Sequence, residues 1–422
     1  MSPIVIVGAS HAAAQAIASL RQMGHDAPIT LVSDEPHLPY HRPPLSKDYL
    51  SGSKGLDDIL IRPASAYEDV ELRLGERVEA IDRKARHVRL RGGDTICYSK
   101  LILCTGARVR RLPVPGAEAN GVLYLRDQSD AAAIRDRVEA LRARDDARAV
   151  VIGGGYIGLE CAASLRKHGL EVCVLEAQAR ILQRVTAPEM SAFYARIHRE
   201  EGVELREGET AAAIEADGDR LVVVTGEGDR LPADLVVVGI GVIPNTELAE
   251  DAGLAVEGGA PGGIRVDAHG RTSDPDIYAA GDVAHHYSPI YDRHMRVESV
   301  PNATEMAKSV AAHIVHSARG EGEAAPAFGA LPWFWSDQYD LKLQIAGLSE
   351  GYDDLVVRGD TQEGREVAMY YFDGPRLLAV DAVNRPRDFM FVRMAIAKGL
   401  RLDKTSLADP DAELKSTVVT DM

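Results

Sequence analysis

Four residues carry the strongest chemical signal in this chain of 422. Gly153, Gly155 and Gly158 fill G-x-G-x-x-G in the run GGGYIGLE, and Glu176 follows 18 residues after Gly158. This is the spacing of a dinucleotide site. The first glycine permits a tight turn, the second lets the backbone approach a pyrophosphate, and the third lets helix and strand pack closely. Unpaired N–H groups and the positive dipole end of the helix then face the phosphates. The acid takes the adenosine ribose hydroxyls. Its charge would repel a 2′-phosphate, and no arginine follows directly in Ala177-Gln178-Ala179, which favours NADH over NADPH. Tyr156 and Ile157 lie inside the same run and join the candidate set.

A second, altered copy lies near the start. VGASHAAAQ, from Val7 to Gln15, places Gly8, Ser10 and Ala13 at the three key positions. Asp34 stands 26 residues after Gly8, at the place expected for the acid. Two dinucleotide units about 145 residues apart suggest two nucleotides in one enzyme, naturally FAD and a nicotinamide dinucleotide. Ser10 replaces the middle glycine, and its hydroxyl is expected to hydrogen-bond to a phosphate. His11 and Ala12 fall in the first helical turn beside it, His11 as a packing or phosphate-side residue, with proton transfer as the alternative.

Each motif needs a strand before it and a helix after it. Ile4-Val5-Ile6-Val7 and Ala149-Val150-Val151-Ile152 are β-branched runs that read as buried strands. Ile29–Val32 and Val172–Leu175 read as the returning strands that carry the acids. The tail differs: Leu341–Ile345 alternates with period two, and Val367–Phe372, the Asp373-Gly374 turn and Leu377–Val380 read as a hairpin. The expected fold is α/β, with two Rossmann-like dinucleotide-binding domains (FAD and NAD) plus a C-terminal α+β domain. The expected boundaries are 1–114 and 244–324 for the FAD-binding domain, 115–243 for the NAD-binding domain and 325–422 for the C-terminal domain, after the Gly/Ala/Glu-rich stretch 317–326.

A net charge of −16, from 48 basic and 64 acidic residues, disfavours nucleic acid as a partner, because such binding rests on neutralising phosphates. No long uncharged apolar run suggests a membrane span, and no basic, then apolar leader suggests a signal peptide. Four cysteines do not make a secreted disulfide framework. A cytoplasmic location is expected, with no membrane partner and no metal site.

Taken together, the residues resemble the two-dinucleotide flavoprotein disulfide reductase superfamily, whose fold is glutathione-reductase-like. Leu101-Ile102-Leu103-Cys104-Thr105-Gly106 resembles the segment that leaves the FAD domain. Val238–Asn245, which contains Gly241, resembles its partner at the exit of the NAD domain. TSDPDIYAAGD, ending at Asp282, resembles the strand whose last acid binds the ribityl chain. Cys97, Cys104, Cys161 and Cys173 offer neither a pair four residues apart after the first acidic strand nor a C-x-x-C. In place of cysteines stands PYHRPPLSK, Pro39 to Lys47. This segment, Val297–Ala303 and Pro332–Tyr339 are similar to those of putidaredoxin reductase-like, FAD-dependent ferredoxin reductases of monooxygenase and dioxygenase systems. The resemblance runs to about Arg387.

It implies an NADH-dependent flavoprotein that passes single electrons to a two-iron two-sulfur ferredoxin serving an oxygenase, in its finest form a haem-thiolate monooxygenase. By the same resemblance Ala12, Asp34, Lys47, Val78, Arg126, Asp282 and Val300 contact FAD, with Arg42, Thr105 and Gly106 also in the cofactor set. Lys47 is implied beside the flavin ring, where a fixed cation stabilises the charge that hydride brings. Glu160 is implied close to the nicotinamide and able to pair with Lys47; the plainer reading is a first-turn helix acid favoured by the dipole. Trp335 is implied between flavin and ferredoxin, with Trp333 as packing. Arg293, Arg296, Lys308 and Arg387 are candidates for a local basic docking patch. A rubredoxin or other acceptor reductase, and a signalling flavoprotein like the apoptosis-inducing factors, stay open as alternatives.

Overall fold

The computed structural model describes residues 2–259 and 262–419; Met1 and 420–422, the outermost ends of the expected domains, lie outside the described residues. The chain divides into two compact units. The first takes residues up to His41, then Leu56–Arg108 and Val242–Pro332. The second takes Arg42–Gly55, Val109–Gly241 and everything described from Trp333 onward.

In the first unit a parallel sheet orders its strands as Ile277–Ala279, Lys100–Leu103, Ile4–Val7, Ile29–Ser33 and Val70–Leu74. Ile4–Val7 lies in the middle and is buried throughout, as expected of a parallel strand covered on both faces. Helix His11–Gln22 follows it and packs against helix Val300–Ala318. Ala12, Ala13, Ala14 and Ala16 are all buried in that first helix, and small side chains let its neighbours come close.

The second unit repeats the plan. Its parallel sheet orders Val203–Glu207, Glu171–Glu176, Arg148–Ile152, Leu235–Val238 and Val122–Tyr124, and helix Tyr156–Lys167 leaves the central strand. An antiparallel sheet of Trp333–Gln338, Leu341–Gly347, Arg376–Val383, Val367–Asp373 and Asp354–Gly359 belongs to the same unit. Helix Pro386–Ala397 packs on it.

The two compact units divide at 108/109, 241/242 and 332/333, beside the expected domain boundaries at 114/115, 243/244 and 324/325. The C-terminal sheet does not stand apart from the NAD-type sheet. One apolar core joins Val151, Leu159 and Leu165 to Leu341, Leu343, Met369 and Tyr371. Residues 42–55 leave the expected FAD domain for the same reason: Leu50 is fully buried in that core, and Gln128 donates to the Tyr49 hydroxyl at 2.7 Å.

The chain's last described stretch is held by one buried cation. Arg358, on strand Asp354–Gly359, donates through Nη1 to the carbonyls of Leu407 and Asp409 at 3.1 and 2.5 Å. Its Nη2 donates to those of Pro410 and Ala412 at 3.0 and 2.6 Å.

Candidate functional site

In the second unit, Gly153 has φ +111°, and a Cβ there would lie 2.4 Å from the Gly239 carbonyl oxygen. A Cβ on Gly158 would meet the Gly153 carbonyl at 2.0 Å, so the helix must start with a bare backbone on that side. Gly155 is different. It is the N-cap of helix Tyr156–Lys167, its φ is −80°, and a Cβ there would meet no protein atom within 4 Å. The open space in front of the helix N-terminus is a cradle that fits a pyrophosphate. Gly241 also has a positive φ, +96°, and its carbonyl accepts from the Arg110 amide at 2.9 Å.

Glu176 ends the returning strand. Its Oε2 accepts from the Gly154 amide at 2.6 Å and its Oε1 from the Gln178 amide at 2.7 Å. Both carboxylate oxygens are thus aimed by backbone before any ligand arrives, and each keeps a lone pair for a ribose hydroxyl. Ile157, at the start of the helix, is 46% exposed. The Tyr156 hydroxyl is buried without a hydrogen-bond partner.

One turn deeper in the helix, the Glu160 side chain is 2% exposed. Lys47 Nζ lies 2.5 Å from its Oε2. The Ser46 hydroxyl donates to the same oxygen at 2.5 Å, and the Ser336 hydroxyl donates to Oε1 at 2.6 Å. Ser46 is itself pinned, because the Ser164 hydroxyl donates to its carbonyl at 2.7 Å. The short 3-10 turn Pro43–Ser46 sets Lys47 in place: prolines start it, and the Lys47 amide closes it on the Pro44 carbonyl. A buried carboxylate needs such partners; removing one of them typically costs about 3–5 kcal/mol by stranding the other charge. Glu160 is the fifth residue of its helix and no acid stands in the first turn. The reading of Glu160 as a first-turn acid held by the helix dipole is therefore corrected, since that effect fades within one turn.

In the first unit, Gly8 has φ +102°, and a Cβ there would lie 2.4 Å from the Cys104 carbonyl oxygen. Ser10 is the N-cap of helix His11–Gln22, and its hydroxyl accepts the Ala13 amide at 3.4 Å. His11 Nε2 stands 3.1 Å from His41 Nδ1. Gly281 has φ +83°, and a Cβ there would sit 3.4 Å from Ala12 and from Ala303, so Asp282 follows a backbone wedged between two helices. Val300 opens the second of those helices, behind the N-cap Ser299. Two helix N-termini and a carboxylate around one bare glycine fit the pyrophosphate and sugar of FAD. Thr105 and Asn245 clamp each other: Thr105 Oγ1 donates to the Asn245 carbonyl at 2.9 Å, and Asn245 Nδ2 donates to the Thr105 carbonyl at 2.8 Å. The Gly106 carbonyl takes the Asn245 amide at 3.0 Å.

Asp34 is not quite where the spacing puts it. Gly8 donates to the Val32 carbonyl as Gly153 donates to that of Leu175, so Ser33 occupies the position that Glu176 holds in the second unit. Asp34 comes one residue later, is exposed, and lines a cavity of about 390 Å³ with Gly75, Glu76, Arg77, Leu90, Arg91 and Gly92. Val78 opens the strand after Arg77 and is buried. Arg42 and Arg126, both in the second unit, meet through a bond of 2.9 Å from Arg42 Nη1 to the Arg126 carbonyl.

The docking candidates fare unevenly. Arg296 is not a surface charge. Its side chain is 8% exposed, it pairs with Glu298 at 2.7 Å and it donates to the Asp282 carbonyl at 3.1 Å, so its role lies inside the first unit. Lys308 is half-exposed and paired with Glu305. Arg293 lies near the Tyr291 ring, and Arg387 is exposed in the second unit. Trp335 and Trp333 lie 5.5 Å apart, with Trp333 also against Phe389 and under Arg393. All four cysteines are free. Cys104, Cys161 and Cys173 are buried, and burial pushes their thiols up to about 12. Among the described residues no helix is long and apolar enough to cross a membrane, and no cluster of three or more His, Cys, Asp or Glu could hold a metal.

Ser46, Ser336, Gln338, His198 and Asn245 were not among the sequence candidates. A signal existed for two of them. Strand Trp333–Gln338 turns Ser336 and Gln338 inward, so its buried face is polar.

The family model for pyridine nucleotide-disulphide oxidoreductases matches residues 2–307, and the model called Reductase C-terminal matches 333–418. The chain is 43% identical over 423 residues to putidaredoxin reductase CamA of Pseudomonas putida, covering 98% of this chain and 96% of that one. It is also 43% identical to the ferredoxin–NAD(+) reductase component of the anthranilate 1,2-dioxygenase system of Burkholderia cepacia, covering 98% of each. Among solved structures, a chain of the covalent putidaredoxin reductase–putidaredoxin complex superposes with a TM-score of 0.90 at 42% identity, covering 99% of this chain and 98% of that one.

Proposed function

Since the chain belongs to the pyridine nucleotide-disulphide oxidoreductase family, we propose that it takes hydride from NADH and passes the electrons singly to a two-iron ferredoxin that serves an oxygenase. It is an oxidoreductase that uses FAD and NAD(H), and the relatives named above are ferredoxin reductases, one of them a dioxygenase component. Bound FAD supplies what no side chain can: it accepts a hydride and gives up two electrons one at a time.

The residues divide the work. The glycine turn and the start of helix Tyr156–Lys167 take the pyrophosphate of NADH. Glu176 accepts from its ribose hydroxyls and repels a 2′-phosphate. Gly8, Ser10, Asp282 and the start of helix Val300–Ala318 hold FAD. Lys47 is the fixed cation for the charge that arrives with hydride, and Glu160 holds its ammonium in place. In this reading Trp335 serves electron transfer to the ferredoxin, and Arg293, Lys308 and Arg387 are its basic docking residues.

The observation that carries this reading is the state of the cysteines. None is paired, and three are buried with thiols too basic to ionise near neutral pH, so electrons taken from NADH have no disulfide of this chain to go to, which supports an acceptor outside it. The finer reading, a haem-thiolate monooxygenase downstream, goes with the similarity of PYHRPPLSK and PWFWSDQY to reductases of such systems. The test mixes the yellow protein with NADH and two-iron ferredoxins one at a time. Rapid bleaching, with cytochrome c reduced catalytically when a ferredoxin is present, is the expected result. Bleaching to a long-lived complex that never turns over with any of them sinks it. Reconstitution of the productive ferredoxin with a haem-thiolate or a dioxygenase partner then decides between the two systems.

A further inference from the structure

Behind the Lys47–Glu160 pair lies a line of polar side chains to which the reaction has so far given no task. Ser336, which donates to Glu160, receives Gln338 Nε2 at 3.1 Å. Gln338 Oε1 lies 2.8 Å from His198 Nε2, and His198 Nδ1 lies 3.1 Å from the Tyr339 hydroxyl. Ser336, Gln338 and His198 are each 1% exposed or less. They come from two distant stretches: strand Trp333–Gln338 and helix Pro188–Glu200.

The chemistry of the line assigns every proton in it. A carboxylate can only accept, so Ser336 must donate to Glu160. The Ser336 oxygen is then free to accept, and the Gln338 amide nitrogen faces it. That fixes the amide, so Gln338 Oε1 must accept from His198. His198 therefore carries its proton on Nε2, and Nδ1 accepts from Tyr339. Burial agrees: it pushes the His198 imidazole down to about 4, so the ring is neutral at working pH. All four hydrogen bonds point the same way, towards one charged group. Such aligned bonds polarise one another. Tyr339 has φ +56°, a left-handed conformation that a bulky residue adopts at a cost, and the tyrosine held there is the one whose hydroxyl meets His198.

Resting on the hydride reading above, we propose that Gln338 and His198 are positioning residues for hydride transfer: they hold the Ser336 hydroxyl on Glu160, which keeps the carboxylate turned to Lys47 and the ammonium fixed. Without that line the serine hydroxyl is free to rotate away. The carboxylate then loses one of the three donors that define its orientation, and Lys47 loses its fixed counter-ion geometry. Neither residue touches NADH in this account, so binding is spared and the chemical step suffers.

The test compares the holoenzyme with Gln338→Met, Ser336→Ala and Lys47→Ala. In the parent, ¹⁵N resonances are expected to place the His198 proton on Nε2, without titration between about pH 6 and 8. In Gln338→Met the tautomer preference is lost. The rate constant for flavin reduction by NADH falls about three- to tenfold, while the NADH dissociation constant stays within about twofold. The flavin midpoint potential falls as well, because a looser ammonium stabilises the incoming charge less. Ser336→Ala, which removes one hydroxyl and little volume, gives the same split and guards against a Gln338→Met protein that merely folds badly. A proton on Nδ1 in the parent overturns the proposal. So do Gln338→Met and Ser336→Ala proteins that are reduced at the parent rate with an unshifted potential. Lys47→Ala keeps the two levels apart: slowed reduction there with normal Gln338→Met and Ser336→Ala defeats the positioning role alone, whereas a parent-like rate in Lys47→Ala defeats the assigned role of the ion pair itself.

Discussion

The two nucleotide units of this chain agree at one glycine and differ at three other places. Gly8 and Gly153 have nearly the same φ, +102° and +111°, and a Cβ on either would lie 2.4 Å from the carbonyl oxygen of the residue just past the end of a neighbouring strand, Cys104 or Gly239. This lock belongs to the fold. The middle position is Ser10 in one unit and Gly155 in the other, yet both are N-caps with extended backbones that any residue can adopt. Glycine at 155 answers no contact within the protein and leaves open space in front of the helix start, room that suits a ligand. The third position is Ala13 against Gly158, where a Cβ would strike backbone. The acid position is Ser33 against Glu176. The familiar motif therefore mixes demands of backbone with demands of ligand, and a substitution means different things at each place.

The largest expected effect is on the shared lock. Gly8→Ala and Gly153→Ala should each cost about 3 kcal/mol or more, since strained φ and a backbone clash add. Thermal unfolding and flavin content measure it, and a mild Gly8→Ala beside a severe Gly153→Ala breaks the equivalence. Gly158→Ala belongs with the severe group, whereas Ala13→Gly should lose about 1 kcal/mol of helix propensity. Next comes the acid. Glu176→Ala should weaken NADH by about tenfold and erode the preference over NADPH, as two anchored hydrogen bonds are lost. Asp34→Ala should weaken FAD by a smaller factor, about twofold to threefold, since the Asp34 side chain is exposed and one residue out of register. An unchanged nucleotide preference in Glu176→Ala removes this account of specificity. The smallest effects on stability fall at the middle position. Gly155→Ser should leave the melting temperature within about 1 °C and still weaken NADH several-fold. Ser10→Gly should cost a few tenths of a kcal/mol as a cap, on the order of helix-cap exchanges. A drop in FAD affinity beyond that assigns the Ser10 hydroxyl to a phosphate; parent-like affinity leaves it as a cap alone.

Much of this was legible in sequence because it is local. Strand, glycine turn, helix and returning strand lie within about thirty residues, and the hydrophobic runs that build them are continuous. Counting residues puts Glu176 at the end of its strand and Asp34 one residue beyond the matching place, because the chain length between strands does not fix the strand register. The surroundings of Glu160 were only partly legible. Lys47 was within reach through PPLSK, but Ser46 and Ser336 approach from 114 and 176 residues away, and nothing in their immediate neighbours announces a shared carboxylate. Arg296 misled in the opposite sense: a charge read as surface is enclosed by Glu298 and a backbone carbonyl. The C-terminal sheet falls in the second compact unit because its apolar residues and those of helix Tyr156–Lys167 share one core, which only packing reveals.

The grip of Arg358 on four carbonyls between Leu407 and Ala412 has a practical corollary. A chain shortened just before Leu407 would strip this buried guanidinium of four carbonyl partners and leave it Asp388, whose Oδ1 lies 3.4 Å from Nε, at a cost on the order of a few kcal/mol. The final turns of the chain thus act as a latch on the outer strand of the C-terminal sheet. Affinity tags and fusions placed here should extend the end and leave the latch whole.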